Sequence, residues 1–247
     1  MELLIALAMV ALITLLLFSG LRLGSRAWES VTVSTERTGA LRLANEFLVR
    51  TLAQMRPAQA LVEAQTVAVF AGDRERLEFA APLSEHVGLP GLYILRLSLE
   101  GAGERRNLVL TRWLMHPEIL AGKDDIPAWK PLKDDSQMEL DALPAELEAA
   151  GGAFGRTLLL EDLEGLEISY YGAPSDGLGD SSKSKTAPTR GLGSNQAGKP
   201  GLGASDQADW YDTWLDQPAP PLLVRLHLIS ANRTWPDLIV ALPAAHP

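Results

Sequence analysis

An uninterrupted apolar run at the N-terminus constrains this chain more than any other feature. Residues 3–19 contain no charge, no proline and no glycine, and only Thr14 and Ser19 among them are polar. A helix of that length nearly crosses the hydrocarbon core of a membrane, since an α-helix rises about 1.5 Å per residue. Arg22 and Arg26 follow, where long cationic side chains reach the lipid headgroups. We therefore expect residues 1–26 to form an apolar helix that needs lipid or similar helices around it.

The helical pattern continues past the apolar run. Between Ala27 and Arg56 there is no proline and a single glycine, and Pro57 then predicts the end of the helix. Apolar residues recur at three- and four-residue steps, typical of one stripe of an amphipathic helix. This stripe comprises Leu41, Ala44, Leu48, Leu52 and Met55. We predict that residues 27–56 form a spine that packs on a globular domain through the stripe, as part of one helix over residues 2–56.

A cleaved signal peptide and a simple anchor are the alternatives for the N-terminal segment. A signal peptide carries basic residues before its apolar region, but only Met1 and Glu2 precede this one. Neither alternative accounts for the amphipathic continuation. Glu2 is itself unusual, because a carboxylate is costly inside a bilayer. It either stays at the membrane interface or pairs with a cation of a neighbouring subunit.

Beyond Pro57 the pattern changes from helical to alternating, which predicts a β-rich domain over residues 57–247. A half-buried strand around Tyr93 to Leu99 should pair with residues 107–115 across the glycines at 101 and 103. Other strands are expected over 66–71, 76–81, 158–171, 222–229 and 238–242, with a short helix over 143–150. In the strand over 222–229, Val224 and Leu226 should face the core while Arg225 and His227 face away. About seven strands against one long helix give an α+β fold with a mainly antiparallel sheet.

Residues 173–209 differ in composition from the rest of this domain. They contain seven glycines, many serines, lysines and aspartates, and no aromatic residue. Such a segment buries too little apolar surface to offset the entropy of ordering it. We predict a disordered loop between two strands, with a functional lid as the alternative.

The sequence supplies no recognisable catalytic or cofactor motif. It has no cysteine, its four histidines lack metal-ligand spacing, and the net charge of −9 without a basic cluster argues against nucleic-acid binding. Asp124–Asp125 and Asp134–Asp135 offer oxygen ligands suited to calcium, and solvated loops are the alternative. Trp210 and Trp214 form either a contact patch or packing beside the last strands. We predict no catalytic residue, no cofactor and no metal site.

The N-terminal residues resemble a known family. Glu2-Leu3-Leu4-Ile5-Ala6-Leu7-Ala8 is similar to the start of type IV pilins and type II secretion pseudopilins. In that family a glycine, a phenylalanine, a threonine and one further residue precede the glutamate, and Met1 stands at the place of that further residue. We therefore expect either that the true translation start lies upstream of Met1 or that the N-terminal end of the chain has already been trimmed.

Later segments narrow the resemblance to the J-type minor pseudopilins. Residues 20–29, the strand at 163–171, Trp210 with Trp214, and residues 220–226 follow the order seen in that group. The resemblance implies a single-pass inner-membrane protein with its head in the periplasm, and no cofactor. It assigns assembly at the pseudopilus tip to the N-terminal residues Glu2, Leu3, Leu4, Ile5 and Leu7. The implied partners are the I- and K-type minor pseudopilins and the major pseudopilin, with no nucleic acid. Binding of secreted substrates is a further option, and a type IV minor pilin or a membrane-tethered periplasmic enzyme are the alternatives.

Overall fold

The structure is a computed structural model, and it describes most of the chain in two compact units. The units are Met1–Ala44 and Asn45–Pro247. The described residues are 2–62, 65–83, 89–101, 103, 105–123, 126–132, 138–174, 209–230 and 233–243. The predicted loop, apart from its ends, lies outside these ranges, and so do both aspartate pairs.

One α-helix, α1, runs from Glu2 to Ala53. It ends in a tightened turn, in which the Gln54 amide donates to the Arg50 and Thr51 carbonyl oxygens at 3.1 and 3.2 Å. Pro57 disfavours the helical conformation of the residue before it, so the helix stops short of that position. The prediction of one helix from residue 2 to about 56 is confirmed to within three residues.

The second unit consists mainly of antiparallel strands, which confirms the predicted α+β class. Among the described residues the strands are β1 Gln59–Val62, β2 Gln65–Ala68, β3 Ala71–Gly72, β4 Arg76–Leu83, β5 Gly91–Glu100, β6 Arg106–Leu114, β7 Leu147–Ala149, β8 Phe154–Leu163, β9 Gly165–Gly172, β10 Asp209–Tyr211, β11 Leu223–Ser230, β12 Arg233–Thr234 and β13 Leu238–Ala241. Short helices α2 Pro117–Leu120 and α3 Met138–Asp141 and a 3₁₀ turn Ala150–Gly152 lie between β6 and β8.

These strands form three sheets rather than the single sheet that the sequence predicted. A six-stranded sheet has the order β3-β4-β5-β6-β8-β7. A five-stranded sheet has the order β10-β9-β11-β12, with β13 also paired to β11, and β1 and β2 form a separate hairpin. The predicted pairing of the strand around Tyr93–Leu99 with residues 107–115 is confirmed as β5 with β6.

The central strand β5 is buried on both faces, so the predicted half-buried strand is wrong. Tyr93, Leu95 and Leu97 on one face are fully buried, but so are Ile94 and Arg96 on the other. The second face is covered by residues of the connection between β6 and β7, whose Trp129 and Leu140 belong to one apolar cluster with Ile94, Trp113 and Phe154. We call the described residues of this connection, 116–123, 126–132 and 138–146, the cover segment.

A buried ion pair fixes the cover segment to the six-stranded sheet. Arg96 on β5 and Glu78 on the neighbouring β4 are each 1% exposed, with Arg96 Nη2 2.6 Å from Glu78 Oε2. The same carboxylate oxygen accepts a hydrogen bond from Trp129 Nε1 at 3.1 Å. Arg96 also donates to the Lys130 carbonyl oxygen and lies 5.3 Å from the centroid of the Trp113 ring. The pair as a whole therefore has partners on both the sheet and the cover segment.

A second buried ion pair, further along the six-stranded sheet, also fixes the cover segment to that sheet. Arg156 on β8 is paired with Glu100 on β5, and Glu100 also accepts a hydrogen bond from the Ser98 hydroxyl at 2.9 Å. Arg156 donates as well to the carbonyl oxygens of Leu143 and Pro144 in the cover segment. Two arginines that look solvent-facing in the sequence thus hold the cover segment by its backbone.

The predicted helix over residues 143–150 is wrong. Residues 147–149 are the edge strand β7, with Leu147 paired to Arg156 and Ala149 to Phe154, and the only helix between them and residue 137 is the single turn α3. Pairing with β8 provides hydrogen bonds that a short, weakly amphipathic helix does not, so tertiary contacts override the local preference. The predicted strand over 66–71 is likewise divided into β2 and β3.

Tyr170 joins the five-stranded sheet to the six-stranded one. Its hydroxyl donates to the Asp73 carbonyl oxygen at 2.8 Å, with the Arg76 carbonyl oxygen at 3.2 Å. A Cβ added to Gly72 would lie 2.0 Å from this hydroxyl oxygen, so only glycine fits beside it. Burial, followed by the charge of Asp73, raises the pKa of Tyr170 well above its ordinary value.

We expect Tyr170→Phe to lower the free energy of unfolding by about 0.5–1.5 kcal/mol, because the Asp73 carbonyl oxygen loses its hydroxyl donor. The raised pKa also predicts a pH effect. The unfolded tyrosine ionises near its ordinary value of 10.0, whereas the folded one holds its proton to higher pH. The contribution of Tyr170 is therefore complete below pH 10 and is lost as pH rises through the folded pKa. Urea unfolding of both chains from pH 7 to 11 tests this, and parallel pH profiles would contradict it.

Candidate assembly site

The apolar half of α1 carries the residues predicted to drive assembly. The stretch Glu2–Arg22 contains an 18-residue window with a mean hydropathy of 2.7, and none of that window is buried. Leu3, Leu4, Ile5 and Leu7 are between 62% and 87% exposed. Burying one such side chain away from water contributes roughly 1.5–3 kcal/mol. A helix with this surface is stable only in lipid or among other apolar helices, and it is long enough to cross a membrane.

The two polar side chains of the apolar run are already hydrogen-bonded within the helix. Thr14 Oγ1 donates to the Val10 carbonyl oxygen at 2.7 Å, and Ser19 Oγ donates to the Leu16 carbonyl oxygen at 2.8 Å. Both hydroxyl protons are therefore satisfied without water. Thr14 and Ser19 are compatible with a low-dielectric environment and offer no free donor to a neighbouring helix.

Glu2 lies exposed in the first turn of α1. The N-terminal end of a helix carries unpaired amide groups and a partial positive charge, which favours a carboxylate there. The helix itself thus offers Glu2 one source of stabilisation. Its predicted pairing with a cation of an adjacent subunit concerns an assembly and stays a prediction.

The residues of the predicted spine stripe differ in burial. Leu48, Leu52 and Met55 in the second unit are no more than 2% exposed, and Thr51 beside them donates to the Phe47 carbonyl oxygen at 2.7 Å. Ala44 is buried and Leu41 is half-buried. The opposite side of the helix carries an exposed Glu46–Arg50 ion pair at 2.9 Å. The role of the stripe as a spine stays a prediction.

Besides Trp28, which is 79% exposed, Leu43 and Val49 are exposed apolar residues of α1 that lie outside both the apolar run and the predicted stripe. Leu43 is 70% exposed and Val49 is 39% exposed. They follow neither the membrane-spanning pattern nor the buried stripe, so the sequence pattern did not single them out. Exposed apolar side chains on a helix are typical contact points for another helix.

The chain segment after α1 is fixed to the head by backbone hydrogen bonds. The Arg56 amide donates to the Ala80 carbonyl oxygen of β4 at 2.8 Å, and the Val69 amide donates to the Ala58 carbonyl oxygen at 3.0 Å. Val69 and Ala60 are buried. Within the second unit, the end of α1 is thus held in place over several residues.

The remaining sequence candidates do not assemble a reaction centre in the part of the chain that the structure describes. No group of three histidine, aspartate or glutamate side chains there is placed to hold a metal ion. His227 Nδ1 lies 2.6 Å from Asp237 Oδ1, but the nearby Ser169 hydroxyl accepts a hydrogen bond from Arg225 at 2.8 Å. The serine is therefore engaged with the arginine, and this group lacks the linked order of a nucleophile and base.

Trp210 and Trp214, which the sequence analysis considered together, have different environments. Trp214 is 2% exposed and donates from Nε1 to the Ala219 carbonyl oxygen at 2.9 Å. Trp210 is half-buried, with its ring centroid 5.3 Å from that of Tyr171. The predicted packing beside the last strands holds for Trp214, whereas Trp210 keeps part of its ring at the surface.

Comparison with known proteins adds one relative that matches along nearly the whole chain. No protein-family model matches. Type II secretion system protein J of Xanthomonas campestris pv. campestris is 27% identical over 243 residues, which cover 95% of this chain and 90% of that protein. A chain of the GspK-GspI-GspJ complex from the Type 2 Secretion System of enterotoxigenic Escherichia coli is 15% identical, with a TM-score of 0.42 over 85% of this chain and 99% of that one. The relative from Xanthomonas confirms the J-type resemblance that the sequence predicted, and the chain is similar to type II secretion system protein J over 95% of its length.

Proposed function

We propose that this chain is a minor pseudopilin, a membrane-anchored subunit that assembles through its N-terminal helix and supports protein secretion. The observation that best supports this proposal is the contrast within the single helix α1. Its apolar stretch Glu2–Arg22 is exposed, whereas Leu48 and Leu52 further along it are buried. The name of the Xanthomonas relative supports the type II secretion system over a type IV pilus. The function is association rather than catalysis.

The physics of the apolar half decides how such association works. Lipid tails are as apolar as leucine, so helices in a membrane associate through close packing and polar pairs rather than through the hydrophobic effect. Thr14 and Ser19 already donate within the helix. The available contributions are therefore the shapes of the exposed leucines and isoleucines and the charge of Glu2.

The finer parts of the proposal follow the resemblance. Residues 1–26 lie in the bacterial inner membrane or filament core, residues 27–56 form the spine, and residues 57–247 form a periplasmic head. The partners are the I- and K-type minor pseudopilins and the major pseudopilin. The division of the chain into Met1–Ala44 and Asn45–Pro247 is compatible with a helical stalk and a head.

Deletion of the gene followed by complementation tests this function. We expect secretion into the medium to stop and to return with the full-length chain. The double variant Leu4→Ala with Leu7→Ala should reduce co-purification with the I- and K-type proteins in detergent at least tenfold, about 1.4 kcal/mol, because packing area is lost. Leu61→Ala, at a head residue that is 71% exposed, is the matched control and should co-purify like the unchanged chain.

An alkaline phosphatase fusion at the C-terminus tests the orientation of the head. The fused enzyme should be active if the head lies in the periplasm. Normal secretion by the deletion strain would contradict the proposed function, whereas an inactive fusion would contradict only the orientation.

A further inference from the structure

A tryptophan lies on α1 shortly after the end of its apolar stretch. Trp28 is 79% exposed, and it belongs to the same compact unit as that stretch. It follows Leu21 by two turns and Leu17 by three, so the three residues share one side of the helix. Leu17 and Leu21 are themselves 69% and 74% exposed. One side of the apolar stretch is therefore continued by an aromatic ring beyond the last leucine.

The backbone geometry of a helix directs this ring back toward the apolar stretch. A side chain in an α-helix leans toward the N-terminus and covers the turn before its own Cα. The residue four positions before Trp28 is Gly24, which has no side chain to occupy that space. We therefore expect the indole to lie along the helix, over the turn that separates it from Leu21.

The rise of the helix places this turn at the depth of the lipid headgroups. From Leu3 to Leu21 the helix rises about 28 Å, close to the roughly 30 Å of hydrocarbon in a bilayer. Arg22 is exposed and comes directly after this distance. The Cα of Trp28 lies about 9 Å further along the axis, and a ring that reaches back by one turn comes within about 4 Å of the level of Arg22. Each headgroup layer is about 5–8 Å thick, so both side chains fit in one layer.

The chemistry of the two side chains suits this layer. An indole has a large apolar ring and a single N–H donor, so its ring packs among the upper acyl chains while the N–H donates to an ester or phosphate oxygen. The guanidinium of Arg22 pairs with lipid phosphate. Phospholipid offers both kinds of contact at the same depth.

A neighbouring helix is a poorer match for the position of Trp28. Helices pack along an apolar stripe that continues over several turns. Further along the side that carries Trp28, the sequence has Val31, Thr32 and Thr35. The apolar character of this side therefore becomes mixed immediately after Trp28, which is typical of a residue at a boundary.

We propose that Trp28 binds the phospholipid headgroup layer on the side of the membrane that carries the head, and that together with Arg22 it fixes the depth of α1 in the bilayer. This inference rests on the proposed function, because it requires the stretch Glu2–Arg22 to span a membrane. Lipid contact then extends beyond residue 26, where the sequence pattern ended the membrane segment. Trp28 is an anchor at the surface of the bilayer, whereas the leucines before it are solvated by its interior.

The depth of Trp28 can be measured in the full-length chain. The chain is labelled with 5-fluorotryptophan and placed in nanodiscs of phosphatidylethanolamine and phosphatidylglycerol, and Trp28→Phe identifies the fluorine signal of Trp28. We expect a nitroxide near the lipid headgroup to broaden this signal at least about threefold more than a nitroxide near the end of the acyl chain. Trp113 and Trp214, which are 1% and 2% exposed, are internal references that neither nitroxide should broaden. Equal broadening of the Trp28 signal by the two lipids, or none, would overturn the inference.

The contribution of Trp28 to the depth of the helix can be read from a thiol at position 23. The chain contains no cysteine, so Leu23→Cys introduces a single reactive group. Position 23 lies on a different side of the helix from Trp28, so its reactivity reports depth and not direct covering by the indole. We expect Trp28→Ser to raise the rate of labelling by a membrane-impermeant maleimide at least about threefold in spheroplasts, and Trp28→Tyr to keep it near that of the unchanged residue.

The matched control is Leu43→Ser, which changes another exposed apolar residue of α1. It should leave the labelling rate at position 23 unchanged. The same rate in the Trp28→Ser and Leu43→Ser backgrounds would show that Trp28 does not set the depth of the helix.

A photo-crosslinking residue at position 28 identifies the occupant in cells that contain all the pseudopilins. A phospholipid adduct supports the inference, whereas cross-links to another pseudopilin without a lipid adduct overturn it. Membrane fractionation and secretion are measured in the same cells. Loss of the unchanged chain from the membrane fraction would contradict the proposed function, whereas normal fractionation and secretion without a lipid adduct would contradict this inference alone.

Discussion

Replacing Glu78 by alanine should lower the free energy of unfolding by about 3–5 kcal/mol, the largest loss expected for one substitution in the head. Glu78 and Arg96 are each 1% exposed and lie 2.6 Å apart. Without the carboxylate, Arg96 keeps a charge that is shielded from water and retains only the Lys130 carbonyl oxygen and the Trp113 ring as described partners. Trp129 Nε1 loses its acceptor at the same time. A buried charge without its partner costs much more than the pair itself contributes.

Urea unfolding of the full-length chain in detergent, followed by tryptophan fluorescence, measures this loss. The double variant Glu78→Ala with Arg96→Met should recover a large part of the stability, because the uncompensated charge is removed as well. Glu46→Ala is the matched control, since it breaks the exposed Glu46–Arg50 pair of α1. An exposed pair of this spacing contributes about 0.3–0.5 kcal/mol. If Glu78→Ala and Glu46→Ala lower the free energy of unfolding equally, the buried Glu78–Arg96 pair stabilises the head no more than an exposed pair does.

Replacing Glu2 by glutamine should reduce co-purification with the other pseudopilins by at least about tenfold while leaving membrane insertion intact. The neutral amide is more compatible with lipid than the carboxylate, so the anchor itself is not weakened. Inside a bundle of helices, however, the cation that Glu2 is predicted to meet would lose its partner. The loss therefore belongs to assembly and not to folding of the head.

The pattern of three substitutions separates a pairing role from a bystander role for Glu2. Glu2→Asp keeps the charge on a shorter side chain and should give intermediate co-purification, whereas Glu2→Ala should match Glu2→Gln. Membrane fractionation of each variant gives the insertion control. If Glu2→Gln assembles like the unchanged chain, Glu2 lies only at the membrane interface and the predicted pairing is wrong.

The long helix could be predicted from the sequence because its signals are local. The absence of charge over residues 3–19 and the three- and four-residue recurrence of Leu41, Leu48 and Leu52 need no knowledge of the rest of the chain. Pro57 then placed the end within a few residues. The pairing of β5 with β6 was predictable for the same reason, because a short glycine-containing connection joins two alternating segments.

The errors arose where long-range contacts decide the outcome. Arg96 and Ser98 alternate with apolar residues, so the sequence of β5 is typical of a strand with one solvent-exposed face. The cover segment lies over that face and Glu78, eighteen residues away, compensates the charge of Arg96. Likewise, residues 147–149 form a strand because they pair with the backbone of β8. No local pattern indicates such partners, and the division into separate sheets has the same origin.

The assembly residues were nominated by resemblance rather than by chemistry. Leucines 3, 4 and 7 are individually no different from leucines 12, 15 and 16, and all are exposed in this chain. The contacts of Arg225 with Trp210 and Asp237 could not be predicted for another reason. The three residues lie in different segments of the sequence, and they meet because β10, β11 and β13 belong to one sheet.

The contact that Tyr170 makes between the two sheets determines which substitutions the head accepts nearby. Its hydroxyl bonds to the carbonyl oxygens of Asp73 and Arg76, which every residue type possesses. Side chains at positions 73 and 76 can therefore be exchanged without removing the acceptors. Gly72 allows no such freedom, because any Cβ would occupy the space of the phenol. A label introduced to report on the two sheets would thus be rejected at position 72, and a label at position 73 would remove the carboxylate that accepts hydrogen bonds from the Glu75 and Arg76 amides.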